Sequence, residues 1–145
     1  MAAKSKASAL WHKDLLQGSG TVKFDSGGLP EAPVTWASRT ERAKGRTSPE
    51  ELLAGSYAAC FAMAFSAALG RMGKPPEELA VEAVATFDKV GEAWKVTTME
   101  VDVKGKVPGM SATEFSDAAH AAEKGCPISN VIRGNVAVHL KATLA

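Results

Sequence analysis

One uncharged stretch constrains this sequence more than any other feature. From Leu52 to Leu69 no residue is charged, and apolar or small side chains would cover every face of a helix. Ser48 suits the N-cap, Pro49 the first helical position, and Glu51 the capping-box position. A helix that is apolar all round is buried on all sides, so residues 48–73 predict a long central core helix. Polar and small residues leave the apolar run short of the roughly 18 residues that span a bilayer, so no membrane contact is expected.

The composition limits the number of domains, the partners and the compartment. A chain of 145 residues with 46% hydrophobic residues can build one core, so a single domain over 1–145 is expected. The formal net charge is +1 and the basic residues form no block, which argues against a nucleic-acid-binding surface. The first residues lack the apolar segment of a signal peptide, so a cytoplasmic location is expected.

Hydrophobic patterning around the central helix predicts an α+β domain. Three strands are predicted before the helix: one that starts at Ala9–Trp11, a second at Thr21–Phe24 and a third at Val34–Arg39. After the helix comes a predicted hairpin of two strands, 79–90 and 94–107. An amphipathic helix at 111–124, a short helical segment starting at 126–129 and a closing strand at 136–141 follow it. The predicted order is β-β-β-α-β-β-α-β, with the short segment following the second helix.

The two cysteines are the residues with the greatest chemical potential. In a reducing compartment they are either inert core residues or a redox pair. Cys60 lies within the apolar helix, where a buried, inert thiol is the common case. Cys126 precedes Pro127 and so suits an N-cap, where unpaired N–H groups and the helix dipole favour a thiolate. These positions predict that Cys126 is the more exposed thiol and Cys60 the more buried, and the spacing leaves open whether they touch.

A thiolate in an apolar pocket needs a permanent positive charge nearby to lower its pKa. The candidates by position are Arg39, Arg42, Arg46, Arg71 and Arg133. A carboxylate such as Glu50 or Glu51 could hold such an arginine through two hydrogen bonds. The three histidines are scattered and no glycine-rich phosphate loop opens a helix, so neither a metal nor a bound cofactor is expected.

Two motifs occur together in this chain. The first is Pro49-Glu50-Glu51-Leu52-Leu53 followed by Ala58-Ala59-Cys60-Phe61, and the second is Gly125-Cys126-Pro127-Ile128-Ser129. Paired in this way, they resemble the OsmC/Ohr family of thiol-dependent peroxidases, and the likeness covers nearly the whole chain. Shorter stretches are more similar to the OsmC branch than to the Ohr branch, among them Val107-Pro108-Gly109.

The resemblance implies an intertwined homodimer, with the long helices at its centre and active sites at the subunit interface. It also implies that Cys60 is the peroxidatic cysteine and Cys126 the resolving one. Arg39 then polarises the peroxide and stabilises the thiolate, and Glu50 orients Arg39. The loop 44–49 is one residue longer than the family pattern, which keeps Arg42 as an alternative to Arg39.

The implied function is the reduction of organic hydroperoxides, and more weakly of hydrogen peroxide, in oxidative and osmotic stress defence. The route passes through a Cys60 sulfenic acid and a Cys60–Cys126 disulfide. No cofactor is implied, and the reductant is an external dithiol protein, for which the family suggests a lipoyl type. Two alternatives are a general thiol-disulfide oxidoreductase that uses Cys126 and a non-enzymatic dimeric binding module with structural cysteines.

Overall fold

The computed structural model describes residues 1–42 and 44–145. Two compact units follow each other along the chain, Met1–Leu52 (unit 1) and Leu53–Ala145 (unit 2). The elements in chain order are β1 Ala7–His12, β2 Ser19–Phe24, β3 Ala32–Val34, α1 Trp36–Thr40, α2 Pro49–Arg71, β4 Glu78–Val90, β5 Ala93–Lys106, α3 Ala112–Gly125, α4 Pro127–Ile132 and β6 Ala137–Leu144. The α+β class is therefore confirmed.

Unit 1 contains an antiparallel sheet with the order β1-β2-β3. The predicted third strand, Val34–Arg39, is wrong over most of its length, because β3 ends at Val34 and α1 begins at Trp36. The Thr35 hydroxyl accepts a hydrogen bond from the Ser38 amide, and the Ser38 hydroxyl accepts one from the Thr35 amide, each at 3.0 Å. This reciprocal capping starts a helical turn despite the alternating pattern.

Helix α2 begins in unit 1 and continues through unit 2. The Ser48 hydroxyl accepts a hydrogen bond from the Glu51 amide at 3.0 Å, which confirms half of the predicted capping box. The other half is replaced, since the Glu51 carboxylate accepts a hydrogen bond from the Thr47 hydroxyl at 2.7 Å. The helix ends where Gly73 adopts a φ of +73° and the Lys74 amide donates to the Leu69 carbonyl, a common way to satisfy the last carbonyls.

The core of unit 2 is built on one face of α2. Tyr57, Phe61, Phe65 and Leu69 follow at intervals of four residues and are fully buried, as expected for one face of a helix. The ring centroids of Tyr57 and Phe61 lie 6.3 Å apart, and those of Phe61 and Phe65 lie 5.7 Å apart. Phe115 of α3 extends this row, with its ring centroid 5.1 Å from that of Phe65.

The sheet of unit 2 has the order β4-β5-β6. The predicted hairpin is confirmed, since β4 and β5 pair antiparallel from Glu78↔Lys106 to Val90↔Ala93. Strand β6 pairs parallel to β5, so α3 and α4 form the crossover that a parallel pair requires. The side chains of Met99, Val101 and Val103 on β5 belong to the same buried cluster as the aromatic row of α2.

The opposite face of α2 is uncovered within a single chain. Met63 is 68% exposed, and only 22% of the most apolar window of the helix is buried. By length and composition alone, with a mean hydropathy of 1.7 in that window, α2 could cross a membrane. This corrects the estimate from sequence that its apolar run is too short, although core helices of globular proteins pass the same test.

Candidate functional site

The two cysteines, which lie 66 residues apart in sequence, meet in unit 2. Cys60 lies in α2, and Cys126 lies between α3 and α4, where it is the N-cap residue of α4 and is followed by Pro127. Both thiols are free. Their Sγ atoms are 3.4 Å apart, with Cys126 as the donor. A disulfide bond measures about 2.05 Å, so a shift of little more than 1 Å would allow the two sulfurs to bond.

The relative burial of the two thiols is the reverse of what the sequence suggested. Cys126 has no exposed surface, whereas Cys60 is partly exposed. Burial raises the pKa of the Cys126 thiol, the neighbouring Cys60 raises it further, and the amides of Ser129 and Ile128 offset part of the rise. The N-cap position alone therefore does not make Cys126 a thiolate, because burial opposes the effect of the amides.

Unit 1 holds the second pair of predicted site residues. Arg39 Nη2 lies 2.6 Å from Glu50 Oε1, and Arg39 Nε lies 3.3 Å from Glu50 Oε2, so the pair is joined by two hydrogen bonds. The Glu50 side chain is 2% exposed and that of Arg39 is 32% exposed. The Arg39 guanidinium also lies 5.7 Å from the ring centroid of Trp36, which precedes it by three residues on α1. The geometry fixes the plane and direction of the guanidinium.

The remaining candidate arginines differ from Arg39 in their surroundings. Within the described residues, Arg42, Arg46 and Arg71 make no ion pair, and all three are exposed. Arg133 pairs with Glu123 at 3.1 Å in unit 2. Arg39 is thus the candidate that a buried carboxylate holds in place.

Four polar groups near Cys126 were not predicted as a set. The Ser129 hydroxyl donates a hydrogen bond to the Glu123 carboxylate, and Arg133 Nη2 lies 3.3 Å from the Ser129 oxygen. Ser129 is fully buried, and so is Tyr57, whose hydroxyl has no hydrogen-bond partner within the described residues. The sequence signal that could have found Tyr57 and Ser129 was their spacing from the cysteines, because Tyr57 lies three residues before Cys60 and Ser129 lies three residues after Cys126.

No group of three or more His, Cys, Asp or Glu side chains that could hold a metal ion occurs among residues 1–42 and 44–145. Unit 2 instead brings two thiols together, and unit 1 by itself holds an oriented guanidinium. A pair of thiols at this distance can form and break a disulfide. An oriented guanidinium can stabilise negative charge that develops on oxygen.

Comparison with known proteins defines the family. A family model described as OsmC-like protein matches residues 42–141. The chain belongs to this family. The predicted resemblance is thereby confirmed, and the matched segment contains Glu50, Cys60 and Cys126.

Individual relatives of this OsmC-like protein agree with the family match. It is 36% identical over 136 residues to the protein named peroxiredoxin OsmC from Escherichia coli, covering 94% of each chain. It is 34% identical over 96 residues to the organic hydroperoxide resistance protein of Xanthomonas axonopodis pv. citri, covering 65% of each. A solved organic hydroperoxide resistance protein from Elizabethkingia anophelis has a TM-score of 0.76 at 26% identity, with coverage of 100% and 99%. The fold of Bacillus subtilis OhrB matches with a TM-score of 0.75 at 22% identity, with coverage of 97% and 98%.

Proposed function

We propose that this OsmC-like protein is a cysteine-based peroxidase that reduces organic hydroperoxides to alcohols and, more weakly, hydrogen peroxide to water. The names of its relatives, peroxiredoxin and organic hydroperoxide resistance protein, support a peroxidase-type role. The observation that carries the proposal is the 3.4 Å separation of the two free thiols.

In the proposed cycle the partly exposed Cys60 attacks first. Its thiolate displaces the alcohol from ROOH by forming a bond to the distal oxygen, which leaves Cys60 as a sulfenic acid. Cys126 then attacks the Cys60 sulfur, so that the S–S bond forms and the oxygen leaves as water. The exposure of the two thiols supports this division, because the substrate must reach Cys60 whereas Cys126 needs only to reach Cys60.

Arg39 is assigned to the charge that develops on the peroxide oxygens, with Glu50 as the group that orients it. The two hydrogen bonds between them support this assignment, because a pre-oriented donor stabilises a developing oxyanion without reorganisation. A cavity of about 460 Å³ in unit 1 borders Arg39 and is lined by apolar side chains that include Trp11, Leu15 and Trp36. An apolar cavity beside the guanidinium favours an organic substituent over hydrogen peroxide alone.

The uncovered face of α2 supports a homodimer. A long helix with an exposed apolar face buries it against another surface, and a second copy of α2 would offer a matching face. We therefore keep the intertwined dimer, with active sites at the subunit interface, as part of the proposal. The external dithiol reductant, the lack of a bound cofactor, the cytoplasmic location and the role in stress defence stay predictions.

Two other functions make different demands on the cysteines. A general disulfide oxidoreductase that attacks through Cys126 needs that thiol at the surface, and Cys126 has no exposed surface. A binding module with structural cysteines needs no approach of two free thiols to 3.4 Å. Neither alternative is favoured by a specific observation.

The experiment compares Cys60→Ser and Cys126→Ser with the unsubstituted protein, using cumene hydroperoxide and a dithiol. Cys60→Ser should consume no peroxide. Cys126→Ser should consume one equivalent per Cys60 and then turn over slowly with the dithiol, because the sulfenic acid cannot be converted to the intramolecular disulfide. Full activity of Cys60→Ser would contradict the proposal.

A further inference from the structure

The hydroxyl group of Tyr57 is buried beside the cysteine pair without a hydrogen-bond partner. Tyr57 has no exposed surface, and no acceptor or donor lies within hydrogen-bonding geometry of its oxygen in the described part of the chain. A buried polar group left unsatisfied costs about 1–3 kcal/mol of folding free energy. Such groups are rare in folded proteins, and a redox or catalytic role is one recognised reason for them.

The surroundings of this hydroxyl keep it protonated. Burial raises the pKa of Tyr57 most, the charges of Glu123 and Cys126 raise it further, and Ser129 and Arg133 lower it. These groups belong to α3, α4 and the residues directly after each helix, so the hydroxyl faces the part of unit 2 that holds Cys126. At neutral pH Tyr57 therefore keeps its hydroxyl proton, for which the described residues provide no acceptor in hydrogen-bonding geometry.

The position of Tyr57 on α2 relates this O–H group to Cys60. Residues three apart on a helix lie on neighbouring parts of one face, with Cβ atoms about 5–6 Å apart. Side chains on a helix also lean towards its N-terminus, so the Cys60 side chain is inclined towards Tyr57. Cys60 and Cys126 are 3.4 Å apart, and Cys126 is one of the groups whose charge acts on the Tyr57 hydroxyl, so the hydroxyl lies in the same part of unit 2 as the cysteine pair.

We infer that the Tyr57 hydroxyl is the proton donor for closure of the Cys60–Cys126 disulfide, an inference that rests on the proposed peroxidase cycle. The acceptor that Tyr57 lacks in the reduced protein appears when Cys60 becomes a sulfenic acid, which places an oxygen on the Cys60 sulfur. A hydrogen bond from Tyr57 to that oxygen would satisfy the hydroxyl and prepare the oxygen to leave.

The step balances within the protein. The S–O bond of Cys60 breaks as the S–S bond to Cys126 forms, so the Cys60 sulfur is reduced and the Cys126 sulfur is oxidised. The departing oxygen keeps its own hydrogen, receives a second one from Tyr57 and leaves as water. The thiol proton of Cys126 restores the Tyr57 hydroxyl. Beside this site, the Ser129 hydroxyl donates to the Glu123 carboxylate and accepts a hydrogen bond from Arg133 Nη2, so Ser129 is held in place.

The test is Tyr57→Phe, which removes the hydroxyl and keeps the ring that packs against Phe61. Reduced protein is mixed with one equivalent of cumene hydroperoxide, and sulfenic acid and disulfide are quantified over time by dimedone trapping and mass spectrometry. Sulfenic acid should form at an undiminished rate, and disulfide closure should slow by about 10²-fold, the range for loss of one general acid. Ser56→Ala is the matched control, because the exposed Ser56 hydroxyl donates to the Leu53 carbonyl of the same helix.

A second measurement uses the fact that Tyr57 is the only tyrosine in the chain. Biosynthetic replacement with 3-fluorotyrosine changes this single site, keeps the hydroxyl and lowers its pKa. The alkaline limb of the pH–rate profile for disulfide closure should then move to lower pH. This readout remains available if Tyr57→Phe folds poorly.

The outcomes separate the inference from the proposed function. If the unsubstituted protein forms no Cys60–Cys126 disulfide, the peroxidase cycle itself is contradicted. If it forms the disulfide and Tyr57→Phe closes it equally fast, only the role of Tyr57 is overturned. Equal slowing of sulfenic acid formation and closure, or an unmoved alkaline limb with fluorotyrosine, would assign Tyr57 to packing alone.

Discussion

The ion pair between Arg39 and Glu50 allows folding stability and activity to be separated experimentally. The Glu50 side chain is 2% exposed and its carboxylate lies 2.6 Å from Arg39 Nη2. Arg39→Met leaves this carboxylate buried without its cation, and breaking a buried pair in this way costs about 3–5 kcal/mol. Because the Arg39 side chain is 32% exposed, water reaches part of the pair, and we expect the lower end, about 3 kcal/mol.

The double variant Arg39→Met/Glu50→Leu removes both charges. Replacing a buried ion pair with apolar groups is often neutral or stabilising, so the double variant should recover most of the lost stability. It should not recover peroxide reduction, since it still lacks the guanidinium. Stability and activity should therefore respond differently to the second substitution.

The assay is urea unfolding at one fixed protein concentration, together with peroxide consumption. With a slope near 2 kcal/mol per molar urea, a loss of 3 kcal/mol lowers the midpoint by about 1.5 M. Lys6→Met is the control, because Lys6 and Asp25 form a pair whose side chains are 76% and 52% exposed, and exposed pairs contribute about 0–1 kcal/mol. The reasoning is refuted if Arg39→Met is as stable as Lys6→Met, or if the double variant regains full activity.

Three further predictions concern other parts of the chain. A Cβ at Gly105 would lie 2.5 Å from two ring atoms of the buried Phe115, so Gly105→Ala should lower the free energy of unfolding by about 1–3 kcal/mol. A Cβ at Gly125 would meet no atom within 4 Å, so Gly125→Ala should leave the free energy of unfolding unchanged. Equal urea midpoints for the two variants would contradict this prediction. Burial raises the pKa of Cys126, so in Cys60→Ser its alkylation by iodoacetamide should be slow at pH 8 and still rise above pH 9; a plateau near pH 8 would be inconsistent with the burial. Met63→Glu should shift the protein towards monomer in sedimentation. Val131 is 72% exposed on α4, and Val131→Glu should leave the oligomeric state unchanged. Equal sedimentation of the two variants would argue against a dimer through α2.

The elements with strong local signals could be predicted from the sequence. Helix α2 has an N-cap, a proline at its first position and a glycine stop, and the hairpin β4–β5 has two alternating runs around a short turn. Helix α1 was missed because Val34 to Arg39 alternates like a strand. There the hydrogen bonds between Thr35 and Ser38 outweigh the pattern.

The chemistry was predicted less completely, since it depends on packing between distant segments. The N-cap position of Cys126 follows from its neighbours in sequence. The burial of Cys126 does not, because burial depends on the packing of segments far apart in sequence. The Arg39–Glu50 assignment came from family resemblance, and the structure supplies the two hydrogen bonds between these residues. The unpaired hydroxyl of Tyr57 has no counterpart in the sequence pattern, because only the packed core shows which buried groups lack a partner.

The measurement that tests the central claim most directly is a thiol count on reduced protein before and after one equivalent of cumene hydroperoxide. Peptide mapping then identifies any new bridge. The account predicts a fast loss of two thiols per chain and a Cys60–Cys126 disulfide within one chain. Persistence of both thiols while the fold is intact would contradict the peroxidase cycle.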